Sequence, residues 1–156
     1  MEQRYLAWLQ AMPIFGGMNE QALTFLIQHC PEVVIEKEAY FFREGDDGDS
    51  LFILKSGSAM VLKGNDVQLR RLARGDCFGE MTLIDLHPRS ASVLALETCL
   101  AFELSNQTLF ALYEAHLEQF ALIQMNLLRE VSRRLRYLDE RLLSLDSELL
   151  GLLRVC

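Results

Sequence analysis

The chain has 156 residues, 51% of them apolar, with 15 basic and 22 acidic side chains and a net charge of −7 at pH 7. A domain of this size buries roughly two-thirds of its unfolded surface, so it needs neither disulfides nor metal to fold. The acidic balance argues against a dedicated nucleic-acid binder, which needs a basic face, and no apolar run approaches the length of a transmembrane helix.

Residues 1–31 read as helices. Tyr5, Leu6, Trp8 and Leu9 keep an amphipathic spacing that Pro13 ends, and Asn19 stands where an N-cap belongs, ahead of Ala22, Leu23, Phe25, Leu26 and Ile27. Residues 32–105 read as short strands: Val33-Val34-Ile35, Tyr40-Phe41-Phe42, Leu51-Phe52-Ile53-Leu54, Ala59-Met60-Val61-Leu62, residues 67–72, and two more near 91–96 and 99–104. Turn signals part them, among them Glu44-Gly45-Asp46-Asp47-Gly48, Ser56-Gly57, Gly64-Asn65-Asp66 and Arg74-Gly75-Asp76. Many short, evenly spaced strands predict a sandwich or a jelly-roll barrel, with room for one small ligand at most. Residues 106–156 are helical again: one helix over 107–115, then a longer one from about 117 to 153 with no proline and no glycine before Gly151. That helix would run roughly 50 Å, more than a core of this size can cover. The expected class is α+β, a single domain over 1–156.

The chemistry lies in Phe78-Gly79-Glu80-Met81-Thr82-Leu83-Ile84-Asp85-Leu86-His87-Pro88-Arg89-Ser90-Ala91-Ser92-Val93. A glycine opens a helix of one or two turns, whose free N–H groups favour an anion, and an arginine follows that can fork onto a phosphate. A carboxylate at the helix start would repel a phosphate, so Glu80 must face a hydrogen-bond donor, for which a sugar hydroxyl is suited. Anion site, arginine and acceptor within a dozen residues describe a pocket for a phosphorylated sugar.

These residues resemble the phosphate-binding cassette of the cyclic nucleotide-binding domain family, of the form F-G-E-x-x-L-x(5)-R-[STA]-A-[ST]-V, met here over residues 78–93. The run Glu44-Gly45-Asp46-Asp47-Gly48-Asp49-Ser50-Leu51, with Ile53, Gly57 and Gly75-Asp76, is similar to the family's strand and turn pattern, and the likeness covers about 14–145. It implies a β jelly-roll barrel flanked by N-terminal helices and a long C-terminal dimerisation helix. It further implies a non-enzymatic sensor of a 3′,5′-cyclic purine nucleotide, cAMP before cGMP, with no other cofactor and no metal. By the same resemblance Glu80 accepts from the ribose 2′-hydroxyl and Arg89 is the cation on the cyclic phosphate. Gly79, Met81, Thr82, Ser90 and Ala91 complete the phosphate cradle. Thr82 departs from the family's usual Ala or Ser. Val61, Arg70, Leu72, Leu138 and Asp139 fall where the base would lie. Other arrangements stay open: Glu80 paired with Arg89 in a degenerate pocket, Ser90 as a plain strand-entry residue, and Asp139 as a surface charge.

His29, His87 and His116 have no evident nucleophile and carboxylate beside them, so an enzyme is not expected. Cys30, Cys77, Cys99 and Cys156 lack CxxC or metal-ligand spacing, and Met1-Glu2-Gln3-Arg4 lacks the apolar core of a signal peptide, so the expectation is reduced thiols in the cytoplasm. No helix-turn-helix follows the long helix before Cys156, so direct DNA binding is not expected, nor is a membrane, and the output passes to an unidentified protein partner. Leu128, Val131, Leu135, Leu138, Leu142, Leu145, Leu149 and Leu152 keep a 3-4 spacing that predicts a parallel coiled-coil homodimer, with trimer or tetramer also open. Arg134 and Arg141 at g would meet the partner's Asp139 and Asp146 at e. The alternative to a sensor is a ligand-independent dimerisation or scaffold module.

Overall fold

A computed structural model describes residues 2–155; Met1 and Cys156, both read above, lie outside the described residues. Helix α1 (Glu2–Gln10) stops short of Pro13, which opens a single 3-10 turn, Pro13–Phe15. Helix α2 (Glu20–His29) starts as the sequence predicts, with the Asn19 side chain accepting from the Ala22 N–H at 2.8 Å.

Eight strands follow: β1 (Glu32–Ile35), β2 (Tyr40–Phe42), β3 (Ser50–Ser56), β4 (Ala59–Lys63), β5 (Val67–Leu72), β6 (Cys77–Phe78), β7 (Ser92–Ala95) and β8 (Cys99–Ser105). They form two antiparallel four-stranded sheets, ordered β1-β8-β3-β6 and β2-β7-β4-β5. The two sheets are the expected jelly-roll, seen as a sandwich, and with the helices the fold is α+β as the sequence predicts. Strand β3 shows why one sheet is apolar on both sides. Alternate residues point to opposite faces, so Phe52 and Leu54 enter the sandwich interior with Leu72, Phe78, Val93 and Ala101. Leu51 and Ile53 face the other way, into a second core with Leu9, Leu23, Leu26, Leu112 and Ile123 from the helices. The first core sets the sandwich; the second fastens the helices to it.

Helix α3 (Glu80–Asp85) bridges β6 and β7, bracketed by two left-handed residues, Gly79 at φ +80° and Leu86 at φ +58°. Helix α4 (Asn106–Ala115) is capped by Ser105, whose hydroxyl accepts from the Thr108 N–H at 3.1 Å. Helix α5 (Leu117–Val155) then runs for 39 residues, about 58 Å. Its packed face is the line of Ile123, Asn126 and Leu127, and the Asn126 amide donates to the carbonyls of Ile14 at 3.1 Å and Gly16 at 2.9 Å. Of the eight seam positions only Val131 is half-buried; the other seven are exposed. The reason is periodicity. Stepping from Ile123 and Leu127 by three or four residues along the same face leads to Glu130, Arg134 and Leu138, not to the seam as a whole.

Candidate functional site

The packed face of α5 ends over a cavity of about 390 Å³ between α3, α5 and the sheet carrying β4, β5 and β7. All seven cassette residues singled out by sequence, Gly79, Glu80, Met81, Thr82, Arg89, Ser90 and Ala91, line it. So do Val61, Arg70 and Leu138. Leu72 and Asp139 are not among the lining residues. Leu72 shares a strand face with Arg70 but pairs with Ala59, two rungs deeper, and is fully buried in the sandwich core. Asp139 follows Leu138 by one helical position, about 100° around α5, and is exposed.

Arg89 is only 5% exposed. Its Nη1 donates to the Gly79 carbonyl at 2.9 Å and its guanidinium carbon lies 4.1 Å over the Phe42 ring, a cation–π distance. Its main chain is fixed as well: the Arg89 N–H donates to the Asp46 carbonyl and the Gly45 N–H donates to the Arg89 carbonyl, each at 2.8 Å. Two glycines make room for the side chain. A Cβ at Gly48 would stand 2.4 Å from Arg89 Nε, and one at Gly79 would stand 2.7 Å from Nη1. Buried Nε has no hydrogen-bond partner among the described residues. Burial lowers the Arg89 pKa, opposed by Asp49, Glu103, Asp46 and Glu80, and a guanidinium stays charged at neutral pH. A held, half-satisfied cation of this kind is suited to an anion.

Glu80 is 4% exposed and does not pair with Arg89. Its carboxylate forms an ion pair with Arg134 of α5, whose second nitrogen donates to the Cys77 carbonyl at 2.9 Å. Arg134 thus corrects the heptad reading, in which it served a partner helix: it faces inward because it falls on the Ile123–Leu127 face. The ion pair joins α3 to α5 directly. Burial, helped by Glu80, raises the pKa of the adjacent Cys77 thiol.

Four cations, Lys63, Arg70, Arg89 and Arg134, line the cavity against one carboxylate, Glu80. In a chain of net charge −7 this inverts the sign of the surface locally. Arg70 on β5 is half-buried; burial, and next the nearby Arg134, lowers its pKa. The floor is aromatic. Phe42 and Phe78 line the cavity and also stand in the cluster with Phe41 and Phe52, where Phe41 meets Phe78 edge-on at 4.9 Å. The sequence reading missed Lys63, Arg134, Tyr137 and Phe42. Only Arg134 carried a usable signal, its i+4 relation to Leu138.

The cavity thus brings a buried arginine and a buried carboxylate into one cation-rich hollow, an arrangement suited to a small anion. A family model, that of the cyclic nucleotide-binding domain, matches residues 32–116, and the chain belongs to that family. It is 38% identical over 57% of its length to a cGMP-dependent protein kinase of Toxoplasma gondii, covering 9% of that protein. It is 32% identical over 58% of its length to a cAMP-dependent protein kinase regulatory subunit of Emericella nidulans, covering 22% of it. The crystal structure of the Thermus thermophilus catabolite activator protein superposes with a TM-score of 0.75 at 28% identity, over 83% of this chain and 61% of that one. The chain thus spans less than two-thirds of the length of these relatives, 9–61%.

Proposed function

We propose that the cavity binds a 3′,5′-cyclic purine nucleotide and that the chain is a non-enzymatic sensor of it. The observation that carries this is the burial of both Arg89 and Glu80 in one cavity lined by four cations and one carboxylate. The phosphate takes Arg89, in the cradle of Gly79, Met81, Thr82, Ser90 and Ala91, and the ribose 2′-hydroxyl donates to Glu80. Glu80 already holds Arg134, so a ligand on Glu80 acts on α5 through that pair. A ligand shifts such a coupling only by its differential affinity for the two states. The exposed seam of α5 pairs two copies, Arg141 meeting the partner helix at Asp146, and an unidentified protein reads the output. Cys30, Cys77 and Cys99 are free thiols, which suits a reducing compartment and supports a cytoplasmic reading.

We favour cAMP over cGMP, on the likeness to the cAMP-dependent regulatory subunit. A second reading, cGMP, draws on Arg70: a guanidinium donates well to the O6 and N7 acceptors of guanine, and the Toxoplasma relative is cGMP-dependent.

The test is calorimetry of ligand-stripped protein with cAMP and with cGMP. Arg89→Ala should cost about 2–5 kcal/mol, at least tenfold in affinity. Glu80→Ala should also weaken binding, and should make a 2′-deoxy ligand little worse than the parent. No heat with either nucleotide at millimolar concentration would leave the scaffold reading in its place.

A further inference from the structure

We propose that the groove between α3, α4 and the first turns of α5 is a docking site for a basic amphipathic helix of a partner protein. The inference does not rest on the nucleotide reading. The groove encloses about 580 Å³ and shares no lining residue with the cavity that holds Arg89. Its walls are Leu83 and Ile84 of α3, Leu109, Phe110 and Tyr113 of α4, and Phe120 of α5. Helix α3 stands between the two hollows, giving Glu80 and Thr82 to one and Leu83 and Ile84 to the other.

The walls are apolar and open. Phe110 is 59% exposed, Ile84 47% and Tyr113 46%. They are also ordered: Phe110 stacks on Tyr113 with ring centroids 5.9 Å apart, and Tyr113 meets Phe120 edge-on at 5.4 Å. A contiguous apolar surface of this kind marks an interaction site.

Charge selects the occupant. Between Arg74 and Arg129 the chain has one lysine or arginine, Arg89, and it is buried in the other cavity. The exposed charged side chains of α3, α4 and residues 117–128 are Asp85, Glu114 and Glu118, all negative. An occupant complementary to this surface has apolar anchors at i, i+3, i+4 and i+7 with lysine or arginine beside them. A groove walled by helices receives a helix along its ridges. The chain's own exposed apolar segment, residues 142–155, carries Asp146 and Glu148 against Arg154, which is the wrong sign. In the parallel pair proposed above, the arginines of residues 129–141 would meet the same stretch of the partner helix and not the groove.

The experiment is fluorescence anisotropy of three fluorescein-labelled helical peptides with the full chain. One has leucines at i, i+3, i+4 and i+7 with lysines between; the second replaces the lysines with glutamates; the third replaces the leucines with serines. The basic amphipathic peptide should bind at least tenfold more tightly than either control. Phe110→Ser and Glu114→Lys should each weaken it at least fivefold without moving the thermal transition, also in a Leu142→Asp/Leu149→Asp background that removes the α5 seam as a competing acceptor. Three results would overturn the proposal: no binding of the basic peptide, equal binding of the serine peptide or to Phe110→Ser, and a change in the sedimentation of the protein alone on Phe110→Ser, which would make a second copy the occupant.

Discussion

Gly48→Ala tests the geometry of the Arg89 cradle. A methyl group there would stand 2.4 Å from Arg89 Nε and 2.6 Å from both Cζ and Nη2. Ordinary carbon contacts lie near 3.5 Å, so the guanidinium must retreat by about 1 Å. With the Phe42 ring 4.1 Å from Cζ, that retreat takes it off its 2.9 Å bond to the Gly79 carbonyl and out of line with a phosphate. One charge-assisted hydrogen bond is worth about 1.5–3 kcal/mol, so Kd for cAMP should rise roughly 10- to 150-fold. Gly48 is not among the glycines with positive φ, so alanine fits its backbone, and any loss of stability should come from the displaced guanidinium alone, about 1–3 kcal/mol. Gly75→Ala is the control: φ is +94° with nothing within 4 Å of the added carbon. It should lower stability by about 1 kcal/mol through strain and leave affinity alone. Calorimetry and thermal denaturation of both variants read the two effects apart. Wild-type affinity in Gly48→Ala, or an equal loss of affinity in Gly75→Ala, would refute the cradle argument.

Arg134→Ala leaves the Glu80 carboxylate buried without its cation and should destabilise the protein by about 1–3 kcal/mol in urea denaturation at pH 7; an unchanged midpoint would mean that the pair contributes nothing. Leu142→Asp with Leu149→Asp should give monomers in sedimentation equilibrium with the sandwich intact, and a wild-type chain that is monomeric at about 50 μM would remove the seam. Burial pushes the Cys30 thiol up to about 12 and raises that of Cys77, so both stay protonated in the folded state where an unfolded thiol would ionise. The folded state then holds more protons, and the stability these thiols contribute is full below pH 9 and lost as pH rises toward 12. The melting temperature should fall across that window, less steeply in Cys30→Ala; an identical slope in the variant would discard the assignment.

The strands were legible because each is a short β-rich run between glycine and aspartate turns, and Asn19 named its helix start through one short side chain. The cassette was legible because seven of its lining positions fall within 13 consecutive residues, 79–91. Lys63, Tyr137 and Phe42 were not, since they reach the cavity from elements distant in sequence, and nothing local marks which face of a strand or helix will turn inward. Arg134 is the instructive miss. A heptad count places it beside a partner, whereas the 3.6-residue period starting at Ile123 places it over Glu80, and only the packed structure tells which period governs that turn. Leu72 misled for the opposite reason: it shares a strand face with Arg70, but depth along a strand is invisible to alternation.

The floor of the cavity is also the end wall of the sandwich interior, because Phe42, Phe78, Val61 and Val93 belong to both. Ligand fit and core packing are therefore written in the same side chains. Widening the floor to admit a bulkier base would open a void in a close-packed interior, at about 2–5 kcal/mol for a large-to-small change. Selection or engineering for a different nucleotide has an easier route at the open side, through Leu69, Met81 and Leu138, all of them exposed. Variation in specificity among such sites should gather on that rim and on α5, while the aromatic floor stays as it is.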